Sequence, residues 1–418
     1  MNKFSKSTLW FLGSAVAVYL VIQILVSTEI LSQFWNTIIR LGAVMAIVSI
    51  GLNLIYGFNG QFSLGQWGFY AIGAYAAADV TYRWSVNNSA DGVVVLALAT
   101  TLSGVAILWL HKRLSKVRGL DPLSAFTLYL TSTILLSVLA VRVGVAITPA
   151  VTSVLSMLPA AISMQIVFIL AVIFSAILAA EISYLFGLPI LSLGSDYFGI
   201  ATLGFTIIVK ILLDNSDTLL GFVEMKGARG MVGIPKVTSL FWVFIFLVMV
   251  VTFIRNLLRS SYGRAIISVR EDEIAAKAMG IDIAEYKIVA FVIGSFLAGL
   301  AGALYAHING FLHPDTFNFI KSFDPMIIVV FGGLGSITGT IFAAFAWALI
   351  LEGVLRLFLP QGFETWRFVV YPLLLIITML LRPAGIFGNY EIPFLRQVLP
   401  KIRQPKPVEA EKAVEVKS

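Results

Sequence analysis

The polar chemistry of this sequence is concentrated in three stretches of an otherwise apolar chain. The first, Gly57–Gly73 (GFNGQFSLGQWGFYAIG), sets Asn59, Gln61, Ser63 and Gln66 among Gly57, Gly60, Gly65, Gly68 and Gly73. Uncharged amides and a hydroxyl suit weak, reversible holding of a small polar solute. So many glycines do not fit one regular helix. Backbone freed from helical pairing at membrane depth is tolerated where it is buried in protein or lines a cavity. The stretch predicts a broken or re-entrant helix beside a pathway; close helix packing through glycine is the alternative. The second, Asp324–Thr340 (DPMIIVVFGGLGSITGT), opens an apolar helix at Asp324-Pro325, where proline is well tolerated. Gly332, Gly333 and Gly335 stop that helix, and Ser336 and Thr338 add hydroxyls. Paired interruptions in two parts of a transporter often mark the substrate path.

The third stretch, Leu257–Lys287, is charged. Arg259, Arg264, Arg270, Lys277 and Lys287 sit among Glu271, Asp272, Glu273, Asp282 and Glu285. Ser268-Val269-Arg270-Glu271 reads as a capping box, and acids at 271–273 suit the positive end of a helix dipole. Ile274, Ala275, Ala276, Ala278 and Met279 follow, and Gly280 is placed for a left-handed stop. The pattern predicts a short helix from Ser268 to Gly280, too short to cross a membrane. Inserted into a partner's groove, it would carry rigid-body motion to the spans on either side; a solvated loop helix is the alternative.

Other chemistries find little support. No Gly-x-x-x-x-Gly-Lys-Ser/Thr run occurs, so no nucleotide site of that kind is present. The chain has no cysteine. His307 and His313 lack partners at ligand spacing, which argues against a metal. No nucleophile–base pair points to catalysis, so the chain reads as a non-enzyme with no cofactor of its own.

Elements that position these stretches follow from composition. Of 418 residues, 59% are hydrophobic and 12% charged, against roughly 25% charged in a soluble domain; mean hydropathy is +0.94. Many apolar runs reach the roughly 20 residues that cross a bilayer core. The fold class is all-α, a polytopic integral membrane helical bundle of about 10–11 spans with broken or re-entrant helices. Spans are expected near 8–27, 37–57, 62–82, 93–110, 122–143, 160–181, 197–213, 238–256, 286–308, 323–356 (broken) and 366–382. The net charge of +7 sits in loops and at the ends, the positive-inside pattern rather than a nucleic-acid footprint. That pattern puts the N-terminus, 111–118, 257–287 and the tail in the cytoplasm. Asp79, Arg142, Glu181, Lys210 and Glu352 fall near predicted span ends, within reach of the interface. Along 286–308, Gly294, Ala298, Gly302 and Ala306 form one small-residue stripe, and Ser295, Gly299 and Ala303 a second. Both admit close helix approach.

With these motifs in view, the chain resembles the permease subunit of a branched-chain amino acid ABC importer, LivM type. The likeness spans roughly Leu41–Gly388. It includes LNLIYGFNGQFSLGQWGFYAIGAY, FGLPILSLGSDYFGIATLGFTIIVK, GMVGIP, SSYGRAIISVREDEIAAKAMGID, YKIVAFVIGSFLAGLAGALYAHINGFLHPDTF, VVFGGLGSITGT and LRPAGIFG. The resemblance implies import of Leu, Ile and Val across a bacterial inner membrane by alternating access. It also implies a homologous permease partner (LivH type), two cytoplasmic ATPase subunits that bind the ATP and a periplasmic binding protein. The 257–287 stretch corresponds to the loop that docks on the ATPases. Arg264, Arg270, Glu271, Asp272, Glu273, Ala275, Ala276, Met279 and Gly280 are its candidate coupling residues. Asn59, Gln61, Ser63, Gly65, Gln66, Gly332, Gly333, Gly335 and Ser336 are candidates for the translocation path.

Several departures qualify the match. Against the general pattern E-A-A-x-x-x-G, Ala275, Ala276 and Gly280 keep the spacing, but Ile274 replaces the acid, with Glu273 one place earlier. An extra helical hairpin lies near 110–160, and the 214–236 loop differs from the family's usual Gly-Gly-Pro-Asn-Gly-like run. Urea, short amides or aromatic acids are alternative cargoes; an ATP-independent carrier or channel is a different class. The expected division is 1–36 first span and loop, 37–256 permease core, 257–287 coupling loop, 286–388 remainder of the core and 389–418 a partly disordered tail.

Overall fold

The computed structural model describes residues 6–114, 122–191, 195–219, 221–358 and scattered positions from 373 to 395. The helices are α1 (Lys6–Ser27), α2 (Gln33–Leu52), α3 (Gln66–Asn87), α4 (Asp91–Leu114), α5 (Pro122–Ser156), α6 (Ala160–Leu191) and α7 (Ser195–Asp214). They continue as α8 (Leu240–Arg259), α9 (Ser261–Glu271), α10 (Glu273–Ala278), α11 (Ile283–Asn309), α12 (Phe323–Gly332) and α13 (Ile337–Trp347). Among the described residues, eight helical stretches are long and apolar enough to cross a membrane. The chain is a multi-pass helical membrane protein. The span expected at 366–382 lies largely outside the described residues.

Helix α11 is the hub, and its small residues explain why. Together the two stripes let three neighbours approach to backbone distance. A Cβ on Gly294 would meet the Gly51 carbonyl of α2 at 2.7 Å, and one on Gly302 would meet the Tyr70 carbonyl of α3 at 1.9 Å. Gly299 faces Ala176 and Ala179 of α6, and Gly73 of α3 packs onto the Gly299 backbone. Without a hydrophobic force between helices in lipid, such close van der Waals packing is a main source of association. His307 is fully buried in the same hub. Its Nδ1 lies 2.7 Å from the Ala303 carbonyl and its Nε2 2.7 Å from the Thr81 hydroxyl. A carbonyl only accepts, so Nδ1 carries the proton and Nε2 accepts from Thr81. The histidine is a structural strut.

Two expectations about helix lengths change. Helix α5 runs to Ser156 rather than 143, with Pro149 inside it. Its extension is held by Gly144 against Val95 and by the Thr152 hydroxyl, which accepts from the Ala90 amide. Glu181 is not at a span end, because α6 continues to Leu191. The Ser103 hydroxyl on α4 donates to its carboxylate at 2.6 Å. The 214–236 loop is ordered by a two-residue antiparallel ladder, β1 (Met231–Val232) on β2 (Phe311–Leu312). Arg83 at the end of α3 also ties it down, pairing with Asp79, Asp91 and Glu224 at 3.0 Å each.

Candidate functional site

Both glycine-rich stretches break their helices, and the breaks meet. Helix α2 widens into a π-helix over Asn53–Phe58, and the chain then runs non-helically until α3 starts at Gln66. Helix α12 stops at Gly332, and α13 restarts at Ile337. Gly333 and Gly335 take positive φ (117° and 81°) in the turn between them, a region that glycine enters without steric cost. Gly332 and Gly339 then lie backbone to backbone: a Cβ on either would come within 2.4 Å of the other's carbonyl oxygen.

Asn53 stitches the two breaks together. Its Nδ2 donates to the Ser336 carbonyl at 2.9 Å and the Thr340 hydroxyl at 2.8 Å, and its Oδ1 accepts from the Gly335 amide at 2.9 Å. Gly57 must be glycine here, since a Cβ would lie 1.7 Å from Asn53 Oδ1 and 2.6 Å from the Gly335 nitrogen. Sequence reasoning passed over Asn53. Its signal was available: it is the only amide in the apolar run from Leu41 to Phe58, and polar groups inside spans are costly.

The other free backbone groups at the second break are met by residues far along the chain. The amides of Ile386 and Phe387 donate to the carbonyls of Phe331 and Gly332 at the end of α12. The Glu391 carboxylate accepts from the amides of Ile337 and Thr338 at 2.5 and 3.2 Å, and from the Thr338 hydroxyl at 2.5 Å. This caps α13 with charge of the sign that a helix N-terminus favours. Ser336 adds an N-cap bond from the Gly339 amide. Glu391 had no sequence signal, since the residues that it caps lie more than fifty positions earlier.

The path candidates of the first break are all buried. Asn59 donates to Gln61 Oε1 at 2.9 Å, and Ser63 accepts from the Gly65 amide at 3.3 Å. The Leu64 amide and carbonyl are taken by the hydroxyls of Thr202 and Thr206 on α7, and Gly65 lies flat against Thr202. Both amide atoms of Gln66, only 1% exposed, and Oδ1 of Asn59 have no hydrogen-bond partner among the described residues. Buried amides without partners cost roughly 1–3 kcal/mol each. Such groups fit a site that is filled or rearranged in another state.

Below the breaks lies the charged stretch, as two helices where one was expected. Ser268 is not a cap: it sits inside α9, its hydroxyl donating to the Ala265 carbonyl. Ser260 caps α9 instead, and Asp272 (φ −160°, ψ 110°) caps α10, accepting from the amides of Ile274 and Ala275 at 2.8 and 2.9 Å. The physical reason is burial: Ala265, Ile266 and Val269 are drawn into the core, which commits 261–271 to one helix, ending at Glu271. The expected stop holds. Gly280 has φ +84°, its amide bonds Lys277, and the Ile281 amide bonds Ala276, the paired bonds of a Schellman cap.

Capped at both ends, α10 turns its apolar side chains outward. Ile274 is 85% exposed and Met279 82%. Ala276 is buried, and Lys287 of α11 pairs with Glu273 at 2.7 Å. Arg264 stays local, donating to the Arg259 carbonyl and the Ser261 hydroxyl. Arg270 does not: its Nη1 donates to the Gly57 carbonyl at the first break. Among the described residues, no group of three His, Cys, Asp or Glu side chains could hold a metal ion.

A sequence model of the family described as "Branched-chain amino acid transport system / permease component" matches residues 35–152 and 123–379. The chain belongs to that family. The two matched stretches overlap within α5. The permease is 32% identical over 246 residues to the high-affinity branched-chain amino acid transport system permease protein LivM of Escherichia coli, covering 51% of this chain and 55% of that one. It is 25% identical over 240 residues to a probable LivM of Methanocaldococcus jannaschii, covering 54% and 70%. To the LivH permease protein of E. coli it is 30% identical over 182 residues, covering 43% and 55%. The match thus spans about half the length of the E. coli proteins. No solved structure matches the permease.

Proposed function

We propose that this permease is the membrane-spanning subunit of an ABC importer that carries branched-chain amino acids across a bacterial inner membrane. Its partners on this reading are a second, homologous permease, two ATPase subunits that bind and hydrolyse the ATP, and a periplasmic binding protein. The family and the names of its relatives support the cargo. One observation carries the coupling: α10, a six-residue helix locked at both ends, exposes Ile274 and Met279 between α9 and α11. Two large apolar groups held out on a rigid, charged loop fit insertion into an apolar groove. The uncharged lining at Asn59, Gln61, Ser63 and Gln66 suits a zwitterion handed over by another protein. Direction comes from ATP favouring one state of the ATPase pair over the other, since a ligand shifts an equilibrium only through its differential affinity for the two states.

The Ile274→Asp, Met279→Asp double variant tests the docking role. Each buried side chain of this size contributes about 1.5–3 kcal/mol, and 1.4 kcal/mol is tenfold in affinity. Co-purified ATPase is expected to fall at least about tenfold, while thermal stability of the isolated permease stays unchanged because both side chains are exposed. Full retention of the ATPases by the variant would refute docking through α10.

A further inference from the structure

We infer that Arg270 is the positioning residue that ties the ATPase-facing helix to both glycine-rich breaks at once. The inference rests on the importer reading above and names the contact through which that machine would move its membrane part. At the end of the π-helix, the carbonyls of Leu54, Ile55 and Tyr56 are taken by the amides of Asn59, Gln61 and Gly60. The next carbonyl, Gly57, receives the Arg270 guanidinium. Helix ends leave such carbonyls open, and a side chain from elsewhere in the chain can satisfy them.

The same side chain touches the rest of the node. A Cβ on Gly60 (φ +80°) would meet Arg270 Cγ at 3.3 Å, and one on Gly335 (φ +81°) would meet Arg270 Nη1 at 3.1 Å and the Gly57 carbonyl at 3.5 Å. Glycine at both places leaves the groove in which the arginine lies. Asn53 holds Gly335 against this point from the other side. Arg270, the Gly57 carbonyl and Gly335 thus form one contact among three segments that are distant in sequence.

Position along the loop makes Arg270 suited to transmit movement. It precedes Glu271, where α9 ends, and Asp272, the cap of α10. At its other end α9 is seated on α8, where Gly263 leaves room for the Leu257 carbonyl only 2.2 Å from where a Cβ would be. A displacement of α10 about the Asp272 corner therefore reaches Arg270 across two residues. It must either drag Gly57 or release it. Release frees the first break from the guanidinium and leaves Asn53 to tie it to the second.

The test uses the full assembly in proteoliposomes, with labelled leucine as cargo. The chain has no cysteine, so Tyr56→Cys and Leu334→Cys carry spin labels on the two breaks without background from this chain, the partner subunits being used in cysteine-free form. With Arg270 present, ATP is expected to shift the distance between the labels. In Arg270→Ala, leucine taken up per ATP hydrolysed is expected to fall at least tenfold, and the ATP-dependent shift to vanish. Arg270→Lys, which keeps a cationic donor without the guanidinium fork, should recover part of both. A purely structural role would lower uptake and hydrolysis together, leaving their ratio and the shift intact, and that result would overturn the inference. Wild-type coupling in Arg270→Ala would overturn it equally. A wild-type assembly without ATP-driven uptake would instead sink the importer reading, and this inference with it.

Discussion

Replacing Gly302 by alanine is expected to be among the most damaging single-methyl changes in the protein. Its Cβ would stand 1.9 Å from the Tyr70 carbonyl oxygen, 2.8 Å from the Tyr70 carbonyl carbon and 3.0 Å from the Ala74 nitrogen. All three are backbone atoms of α3, so no side chain can swing aside. Helix α3 must move off α11, and that motion also disturbs Gly73, which lies on the Gly299 backbone. Overpacking of this kind costs about 1–3 kcal/mol; the upper end applies because the obstacle is a helix. Thermal unfolding in detergent should show a clear loss of stability. Gly204, with nothing within 4 Å of its Cβ position, is the control: Gly204→Ala should be neutral or slightly stabilising through helix propensity. Equal stability of Gly302→Ala and the parent protein would mean that the α3–α11 contact is looser than described.

The second large effect is expected from Asn53→Leu. The leucine removes three hydrogen bonds and leaves the Gly335 amide without a partner, in a place where Asn53 is 1% exposed, while the Ser336 carbonyl keeps its bonds from Thr340. A buried polar group deprived of its partner costs about 1–3 kcal/mol and each further bond lost about 0.5–1.5 kcal/mol, so a loss of about 2–5 kcal/mol follows for the node. Stability is only half of the expected result. The two breaks would no longer be tied, so hydrogen exchange at 333–340 should rise by more than exchange in α11. A uniform rise across both segments would show global destabilisation and no special role for the node.

Comparing pattern with structure shows what a sequence of this kind encodes. Helix breaks at 57–65 and 332–336 were legible, because several glycines with amides and hydroxyls cannot be absorbed into one regular apolar helix. The small-residue stripes of α11 were legible as packing surfaces for the same reason. What periodicity does not carry is the partner: nothing in Gly294, Gly299 or Gly302 says that they face α2, α6 and α3 in turn. The start of α10 was misread because two local solutions compete. Ser268 with Glu271 and Asp272 alone both satisfy the rules for a helix start. Burial of Ile266 and Val269, a tertiary effect, chose the second. Its end was read correctly, because Gly280 needs only local geometry.

The same limit applies to the node. Arg270 was readable as part of a charged loop, and Gly57 and Gly335 as breaks, yet Arg270 meets Gly57 across 213 residues of chain, and Gly335 comes from further along still. Asn53 and Glu391 complete that meeting and had only weak local signals or none. In a membrane interior, backbone groups released by a helix break have no water to turn to, and each must find a partner in the protein. The partners found here include an asparagine, an arginine and a glutamate from three separate segments. That makes the breaks well-defined structures, held by few bonds and open to displacement from outside.

The central claim is that energy for transport enters through α10 from partner ATPases, and that the cargo is a branched-chain amino acid. Its most direct test is uptake of labelled leucine, valine and urea into vesicles carrying the full assembly with its binding protein, with and without ATP. Accumulation of leucine and valine that requires ATP, and little of urea, is the predicted result. Accumulation of leucine and valine without ATP, or ATP-driven accumulation of urea alone, would contradict it.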